Sequence, residues 1–297
     1  MSSSEGARRA LVIGGTSGVG RGLAQWLAGK HVHVTVAGRS QERGGAVVEA
    51  CREVWPEGEF DFMSVDAFSI KALADACAAY ARSSSRLDYL VLTQGMATIQ
   101  GYTPTDSGLD QKLVLHHFGR MASILALRDL LTTTSGKDGA DVRVLSVLSA
   151  GVHSPLAAYK QDPILRNNYS IKNAADFAGF AQDLCLDGVS RETPGVAFVH
   201  AAPGFVRTNW GSEFPSALRW MVRGLQVFGK SEAACAAEMG KALVDPRYAG
   251  GFHLMGPTGN PVPKTKIHND EAVEFMWKAT KDAVLPAMTG QPTKSES

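Results

Sequence analysis

The sequence has few cysteines and no long apolar run, and each scarcity excludes a class of protein. Its four cysteines, Cys51, Cys77, Cys185 and Cys235, lie far apart, so neither a disulfide framework nor a metal-ligand pair is expected. Buried thiols in a reducing compartment are the simpler interpretation, and we expect a cytoplasmic protein. No segment reaches the roughly 18 apolar residues that a membrane span needs. The basic N-terminal residues precede no separate apolar stretch, so no signal peptide is expected.

A strong net charge is also missing. The formal net charge is +1 at pH 7, so neither nucleic acid nor an anionic membrane surface is an expected partner. No Gly-x-Ser-x-Gly motif predicts a hydrolase, and no histidine or cysteine spacing predicts a metal site. What the chain does have is 44% apolar residues in 297, which is ample for a large core.

Short apolar runs alternate with longer amphipathic segments. The pattern predicts strands at 10–14, 31–37, 59–65, 87–93, 142–148, 195–201 and 250–255. It predicts helices at 19–29, 41–54, 69–83, 107–131, 169–188, 231–244 and 270–284. This alternation is typical of an α/β fold: a single Rossmann domain over 1–288, with a doubly wound parallel sheet of about seven strands and helices on both faces. The polar end, 289–297, is expected to be disordered.

A glycine-rich turn joins the first predicted strand to the first helix. The glycines Gly14, Gly18 and Gly20 have no Cβ, so the backbone can turn sharply and approach a pyrophosphate. A helix N-terminus presents free N–H groups and the positive end of its dipole to such an anion. The sequence therefore predicts a dinucleotide site rather than a purely structural turn. Its contact residues are Gly14, Thr16, Ser17, Gly18, Val19 and Gly20.

The residue after the second strand indicates which dinucleotide binds. An acid at this place accepts hydrogen bonds from a ribose 2′-hydroxyl, whereas an arginine pairs with a 2′-phosphate. This chain has Arg39 there, which predicts NADP, and Arg21 could add a second positive contact. Asp66, after the third strand, either binds the adenine amino group or caps the helix that begins near Ser69.

Taken together, these motifs resemble the short-chain dehydrogenase/reductase superfamily over roughly residues 8–255, and 142–176 is most similar to its retinol-dehydrogenase-like branch. The glycine motif matches, although Ile13 replaces the usual threonine. Of the Asn-Asn-Ala-Gly ending of the family's fourth strand, only Gly95 is kept. The run Pro203-Gly204-Phe205-Val206-Arg207-Thr208 matches the family's Pro-Gly-x-x-x-Thr loop. The resemblance implies cofactor contacts by Gly95, Pro203, Gly204, Val206 and Thr208, with Thr208 at the nicotinamide carboxamide.

The resemblance also implies a serine and a Tyr-x-x-x-Lys pair, in which lysine lowers the pKa of the tyrosine that donates the proton. Ser149 ends the fifth strand, but Tyr169 and Lys172 are three positions apart rather than four. The two can still act together, since positions three apart share a helix face, and Lys172 would also hold the cofactor. Alternatively Asn168 stands in the tyrosine place, or Asn173 in the lysine place. In either case carbonyl reduction would be weak or absent.

Two histidines accompany this departure. Alignment places His116 where the family has an asparagine that holds a water. An imidazole there either holds the water, relays a proton, or is satisfied by the backbone. His153, four positions after Ser149, is expected to be a loop histidine rather than a catalyst.

The segment 209–230 is rich in large apolar groups and follows the sixth strand, so we expect it to roof the substrate pocket rather than pack as an ordinary helix. The predicted function is an NADP-dependent oxidoreductase that interconverts a carbonyl and an alcohol on an apolar small molecule. The resemblance also implies a possible homodimer through 107–131 and 169–188. The alternative is an NADP-binding protein of the same fold without redox turnover.

Overall fold

One sheet organises the molecule, for which a computed structural model describes residues 7–154, 156, 158–207 and 229–293. Its strands lie in the order β3-β2-β1-β4-β5-β6-β7-β8. They are β1 Arg9–Ile13, β2 His33–Gly38, β3 Phe60–Ser64, β4 Tyr89–Leu92, β5 Val142–Val147, β6 Val196–Ala201, β7 Gly251–Met255 and β8 Pro261–Val262. The first seven are parallel, and β8 runs antiparallel to β7. The predicted parallel sheet is confirmed. The two residues of β8 are too few to show a periodicity in the sequence.

Helices cover both faces of this sheet, as predicted. They are α1 Gly18–Ala28, α2 Gln41–Val54, α3 Ile70–Ser83, α4 Gln111–Leu113, α5 Gly119–Ser135, α6 Ile171–Glu192, α7 Glu232–Met239, α8 Lys241–Val244 and α9 Asp270–Met288. One apolar core joins the sheet to α3, α5, α6 and α9, and a second joins it to α1, α2, α7 and α8. Every position of β5 and β6 is buried, as expected for strands covered on both sides.

The site is positioned by the change of direction in the strand order. Strand β1 pairs with β2 on one side and with β4 on the other. In open α/β sheets, ligands bind outside the carboxyl ends of the strands at this switch. The loops that follow β1, β2, β4, β5 and β6 therefore share one edge of the sheet.

Two predicted helices differ from the observed ones near this edge. The helix predicted at 107–131 begins at Gln111 and contains a π-helical turn, Val114–Phe118, before α5. Such turns occur frequently at functional sites. The helix predicted from 169 begins at Ile171, because the side chain of Ser170 accepts the Asn173 N–H and caps it.

Two predictions concern segments that the structure describes only in part. Of the roof segment, residues 209–228 lie outside the described residues, and so does Thr208. Of the predicted tail, residues 289–293 belong to the described fold: Thr293 is buried and its N–H donates to the Ser107 carbonyl over 3.1 Å. Among the described helices, none is long and apolar enough to cross a membrane.

Neighbouring glycines in α2 should respond to alanine in opposite ways. A Cβ on Gly44 would lie 2.0 Å from a ring carbon of Phe62, whereas a Cβ on Gly45 would meet nothing within 4 Å. We expect Gly45→Ala to raise the free energy of unfolding by about 0.5–1 kcal/mol, because alanine favours the helix. We expect Gly44→Ala to lower it by about 1–3 kcal/mol through overpacking. Urea unfolding measures both, and a stabilising Gly44→Ala would contradict this packing.

Candidate functional site

The turn between β1 and α1 is closed too tightly for side chains. Gly14 and Gly18 have φ values of +84° and +57°. A Cβ on Gly14 would lie 2.5 Å from the backbone nitrogen of Gln94, and one on Gly20 would lie 2.4 Å from the Gly14 carbonyl oxygen. Ser17 precedes α1 without capping it through its side chain. The turn is thus a bare backbone cradle at a helix N-terminus, which fits a diphosphate.

Neighbouring strands hold this cradle in place. The Thr93 hydroxyl, just after β4, donates to the Ile13 carbonyl over 3.1 Å. Thr16 packs against the end of β2, where a Cβ on Gly38 would come within 2.7 Å of its methyl group. Thr16, Gly18 and Val19 are partly exposed and Ser17 is exposed, so these four predicted contact residues are accessible.

Arg39 is exposed at the end of β2, and its guanidinium carbon lies 4.8 Å from the centre of the Phe68 ring. It makes no ion pair with any residue that the structure describes. Arg21 differs, because its guanidinium pairs with Glu232 over 2.7 Å. The positive charge at this edge therefore comes from Arg39 more than from Arg21.

Asp66 does not cap the helix that follows it, so that alternative is wrong. The side chain of Ser69 caps α3 by accepting the Ala72 N–H over 3.3 Å. Asp66 instead accepts the Phe68 N–H over 3.1 Å and is exposed. Asp66 follows β3 and Arg39 follows the neighbouring strand β2, so both side chains lie at the same edge of the sheet. The Asp66 carboxylate faces solvent there and is accessible to a ligand.

His116 lies in the π-helical turn beneath Gly95. Its Nε2 accepts the Met96 N–H over 3.0 Å, so the backbone satisfies this ring nitrogen as a donor. Burial, with the charges of Arg120 and Lys112, lowers the pKa of His116 to about 3. The ring is therefore neutral near pH 7, and its one proton is on Nδ1 because Nε2 is an acceptor.

Arg120, which the sequence analysis did not single out, ties the ends of two strands together. Its buried guanidinium donates to the Gln94 carbonyl over 2.7 Å, to the Ser146 hydroxyl over 2.7 Å and to the Val147 carbonyl over 3.0 Å. Burial lowers its pKa to about 9. The signal in the sequence is that Arg120 is the one charged residue of 119–127, the mostly apolar first half of α5.

Tyr169 and Lys172 are not brought together, because Tyr169 precedes the first residue of α6. The Tyr169 hydroxyl donates to the buried carboxylate of Asp110 over 3.2 Å. Burial and this carboxylate raise the pKa of Tyr169, the opposite of the lowering expected from a lysine partner. The Lys172 ammonium pairs with Asp176 over 2.6 Å, and its side chain is 73% exposed. The shared helix face predicted for the pair is therefore corrected.

The other two alternatives placed Asn168 in the tyrosine position or Asn173 in the lysine position. The Asn168 side chain donates to Asp162 over 3.3 Å, and that of Asn173 donates to the Asn168 carbonyl over 2.7 Å. Both asparagines thus stabilise the loop before α6.

Ser149, just after β5, lies in a cluster that the sequence revealed only in part. Its backbone N–H donates to His200 Nε2 over 3.2 Å. Asp183, on α6, bonds to His200 Nδ1 and accepts from His153 Nε2 over 2.8 Å. A Cβ on Gly179 would lie 2.6 Å from the Ser149 hydroxyl oxygen, which shows how closely α6 approaches.

Asp183 and His200 carried a weak signal: each is a polar residue within an apolar stretch of a predicted helix or strand. Their burial shifts the pKa values of the cluster. For Asp183, burial is outweighed by the two histidines, and its pKa is lowered. For His153, burial is outweighed by the bond to Asp183, and its pKa is raised. Burial lowers the pKa of His200.

Comparison with known proteins shows which family the chain belongs to. The model of the short chain dehydrogenase family matches residues 8–217. The chain belongs to the short-chain dehydrogenase/reductase family. Its similarity to Oxidoreductase AN1596 of Emericella nidulans is 29% identity over 210 residues, 70% of this chain and 61% of that protein. Its similarity to human Dehydrogenase/reductase SDR family member 13 is 26% identity over 293 residues, 92% of this chain and 72% of that protein.

Solved structures support the fold. An alcohol dehydrogenase from the archaeon Thermococcus sibiricus, complexed with 5-hydroxy-NADP, superposes with a TM-score of 0.63 at 15% identity, covering 87% of this chain and all of that one. Levodione reductase gives a TM-score of 0.63 at 18% identity, covering 85% of this chain and 96% of that one. The chain spans about three fifths of the length of the fungal relatives Oxidoreductase AN1596 and Oxidoreductase andH. Both of these fungal relatives are named as oxidoreductases.

Two histidines with strongly lowered pKa values, His116 and His117, should make the protein sensitive to mild acid. Burial lowers the pKa of His116 to about 3 and that of His117 to about 4, whereas both titrate near 6.5 when unfolded. The unfolded chain therefore binds more protons below pH 6.5, and the free energy of unfolding falls as pH falls. Each histidine contributes about 1.4 kcal/mol per pH unit between about pH 6 and 4.5.

Urea unfolding from pH 7 to 4.5 measures this dependence. We expect His116→Asn to reduce its slope by one histidine's share. His31→Asn, at an exposed position, serves as the control and should leave the slope unchanged. An unaltered slope in His116→Asn would mean that His116 is not buried in its neutral form.

Proposed function

We propose that the chain binds NADP across the carboxyl ends of β1, β2 and β4 and interconverts a carbonyl and an alcohol on an apolar small molecule. The observation that carries this proposal is the bare glycine cradle at the start of α1, with Arg39 unpaired among described residues at the end of β2. The cradle, Gly14–Gly20, would hold the diphosphate, and Arg39 would pair with the 2′-phosphate.

Other predicted contact residues lie on the same edge of the sheet. Asp66 follows β3, Gly95 follows β4, and Pro203, Gly204 and Val206 follow β6. Gly204 has a φ of +70°, which suits the close backbone approach proposed for this loop. The nicotinamide supplies a hydride when it is bound.

The loops around this edge carry exposed apolar side chains, which supports an apolar substrate. Ile99 follows β4, Val152 follows β5 and Phe205 follows β6, and they are 50%, 69% and 47% exposed. Ile171, in the first turn of α6, is 46% exposed. Because these segments follow neighbouring strands or begin the helix beside Ser149, we propose that they form an apolar rim around the substrate.

In the proposed reaction the Ser149 hydroxyl holds the oxygen of the carbonyl or alcohol. A proton must then reach that oxygen, and Tyr169 is poorly arranged to supply it because it donates to Asp110. This arrangement favours the second candidate function, NADP binding without redox turnover. The two candidates share the cofactor site and differ only in chemistry at Ser149.

An assay with a panel of apolar aldehydes, ketones and alcohols, followed by NADPH absorbance, tests the proposal. Calorimetric titration with NADP runs in parallel. Turnover supports the redox function. Tight NADP binding without turnover of any substrate would support the second candidate, and no binding would reject both.

We propose a reducing, cytoplasmic compartment, since all four cysteines are buried free thiols. The homodimer implied by the family stays a prediction, which α5 and α6 would mediate.

Arg39 should determine the choice between NADP and NAD. Arg39→Asp removes a charge-assisted contact and adds repulsion, so we expect NADP affinity to fall at least 10-fold, on the scale of about 1.5–3 kcal/mol. NAD affinity should change little. Arg21→Ala is the matched control, because its guanidinium already pairs with Glu232 over 2.7 Å. Calorimetric titration of both cofactors measures the effect, and an unchanged preference would remove Arg39 from the site.

A further inference from the structure

The Asp183 carboxylate is hydrogen-bonded to the loop after β5, which carries Ser149, and to His200 on β6. It accepts the Gly151 N–H over 3.1 Å and His153 Nε2 over 2.8 Å, and it bonds to His200 Nδ1. The side chains of His153, Asp183 and His200 are at most 3% exposed. A buried carboxylate is stable only when it is paired and hydrogen-bonded, so this cluster is a fully engaged ionic centre.

The hydrogen bonds define where the protons are. His200 Nε2 accepts the Ser149 N–H over 3.2 Å, so the single proton of a neutral His200 is on Nδ1, toward Asp183. His153 faces acceptors on both sides: Asp183 at Nε2, and the Ser154 carbonyl 3.4 Å from Nδ1. Only an imidazolium can donate from both nitrogens. The cluster therefore favours a His153 cation beside an Asp183 anion, and the long bond at Nδ1 is the weaker one.

This ion pair lies beside the Ser149 hydroxyl across Gly179. The point where a Cβ on Gly179 would stand is 2.6 Å from Ser149 Oγ and 3.1 Å from His153 Cδ2. Ser149 is partly exposed. The His153 side chain is only 2% exposed, and the Ser149 hydroxyl is the partly exposed group that lies beside it across Gly179.

We propose that His153, held by Asp183, is the proton reservoir of the reaction and acts through Ser149, in place of Tyr169. The inference rests on the proposed function. In reduction, a hydride adds to the carbonyl carbon, the C=O π bond breaks, and the oxygen takes the Ser149 hydroxyl proton. Ser149 regains a proton from the His153 imidazolium, which is left as a neutral imidazole until it takes a proton from water. Oxidation of the alcohol reverses each transfer.

The charged groups around His153 support this assignment. From α6, Asp183 and Asp176 both favour its protonated form, and Asp176 also accepts the Ser154 N–H over 2.9 Å. The Lys172 charge is paired with Asp176. From β6, His200 opposes a second positive charge and stays neutral. Asp183 and His153 are thus positioning residues for Ser149.

The test compares His153→Gln, Asp183→Asn and Tyr169→Phe in the full-length protein, with a substrate found in the panel. We expect His153→Gln and Asp183→Asn to lower kcat at least 100-fold, since general acid catalysis contributes about 10²–10⁴-fold. NADP affinity should stay within about 2-fold. His253→Gln, on β7, is the matched control and should retain wild-type kcat.

A pH profile separates a proton reservoir from a merely structural residue. Because the protonated form is active in reduction, wild-type kcat should fall as pH rises through the raised pKa of His153. Asp183→Asn should move that inflection to lower pH. Nitrogen-15 NMR of the histidines should show His153 titrating above 6.5 in the NADP complex and lower in Asp183→Asn.

Gly179→Ala tests the same path should His153→Gln fail to fold. Its methyl group would lie 2.6 Å from Ser149 Oγ and 3.1 Å from His153 Cδ2 and would push these two groups apart, so kcat should fall more than 10-fold while NADP affinity is kept.

The outcomes distinguish this inference from the proposed function. Wild-type kcat in His153→Gln, or abolished turnover in Tyr169→Phe, would overturn the inference and leave the redox function standing. NADP binding without any turnover in the wild type would overturn both.

Discussion

A buried guanidinium that has no carboxylate partner among the described residues holds the two halves of the site together. Arg120 binds the carbonyls of Gln94 and Val147, which end β4 and β5, and the Leu115 carbonyl in the π-helical turn. Gln94 in turn lies against Gly14, so the dinucleotide cradle and the segment that carries Ser149 share one fixed point. A charge kept in this place at the cost of desolvation must be retained for the geometry it imposes.

The family's usual solution places a lysine beside the tyrosine hydroxyl. In this chain the Tyr169 hydroxyl meets the Asp110 carboxylate, and the Lys112 ammonium lies 5.2 Å from the centre of the ring. Asp110 is fully buried and accepts three backbone N–H groups besides the Tyr169 hydroxyl. That carboxylate is committed to capping α4, so its charge is structural. The Asp110 carboxylate stabilises the protonated phenol of Tyr169. This hydrogen bond joins the loop before α6 to the start of α4. A second buried carboxylate, Asp183, lies more than three turns into α6 and binds two histidines near Ser149.

Sequence reasoning predicted what depends on local pattern. The seven parallel strands agree with apolar runs of the right length, and the glycine turn agrees because φ values such as +84° at Gly14 demand glycine wherever they occur. The Tyr169 partner could not be read this way, because Asp110 is 59 positions away in the chain. Asp183 and His200 meet only when α6 packs against β6. The predicted helix began at Tyr169, whereas Ser170 caps a helix that begins at Ile171, so Tyr169 lies outside it.

The last described residue, Thr293, is hydrogen-bonded to the segment before α4. Thr293 binds the Ser107 carbonyl through both its N–H and its hydroxyl, and Arg166 bridges Gly108 and Thr293. Tyr102 closes the same loop by donating to the Gly108 carbonyl over 2.6 Å. Loss of Thr293 would therefore remove hydrogen bonds from the segment 102–110, which also contacts Tyr169. A tag fused near Thr293 is therefore more prone to disturb the loop around Tyr169 than a tag at the N-terminus.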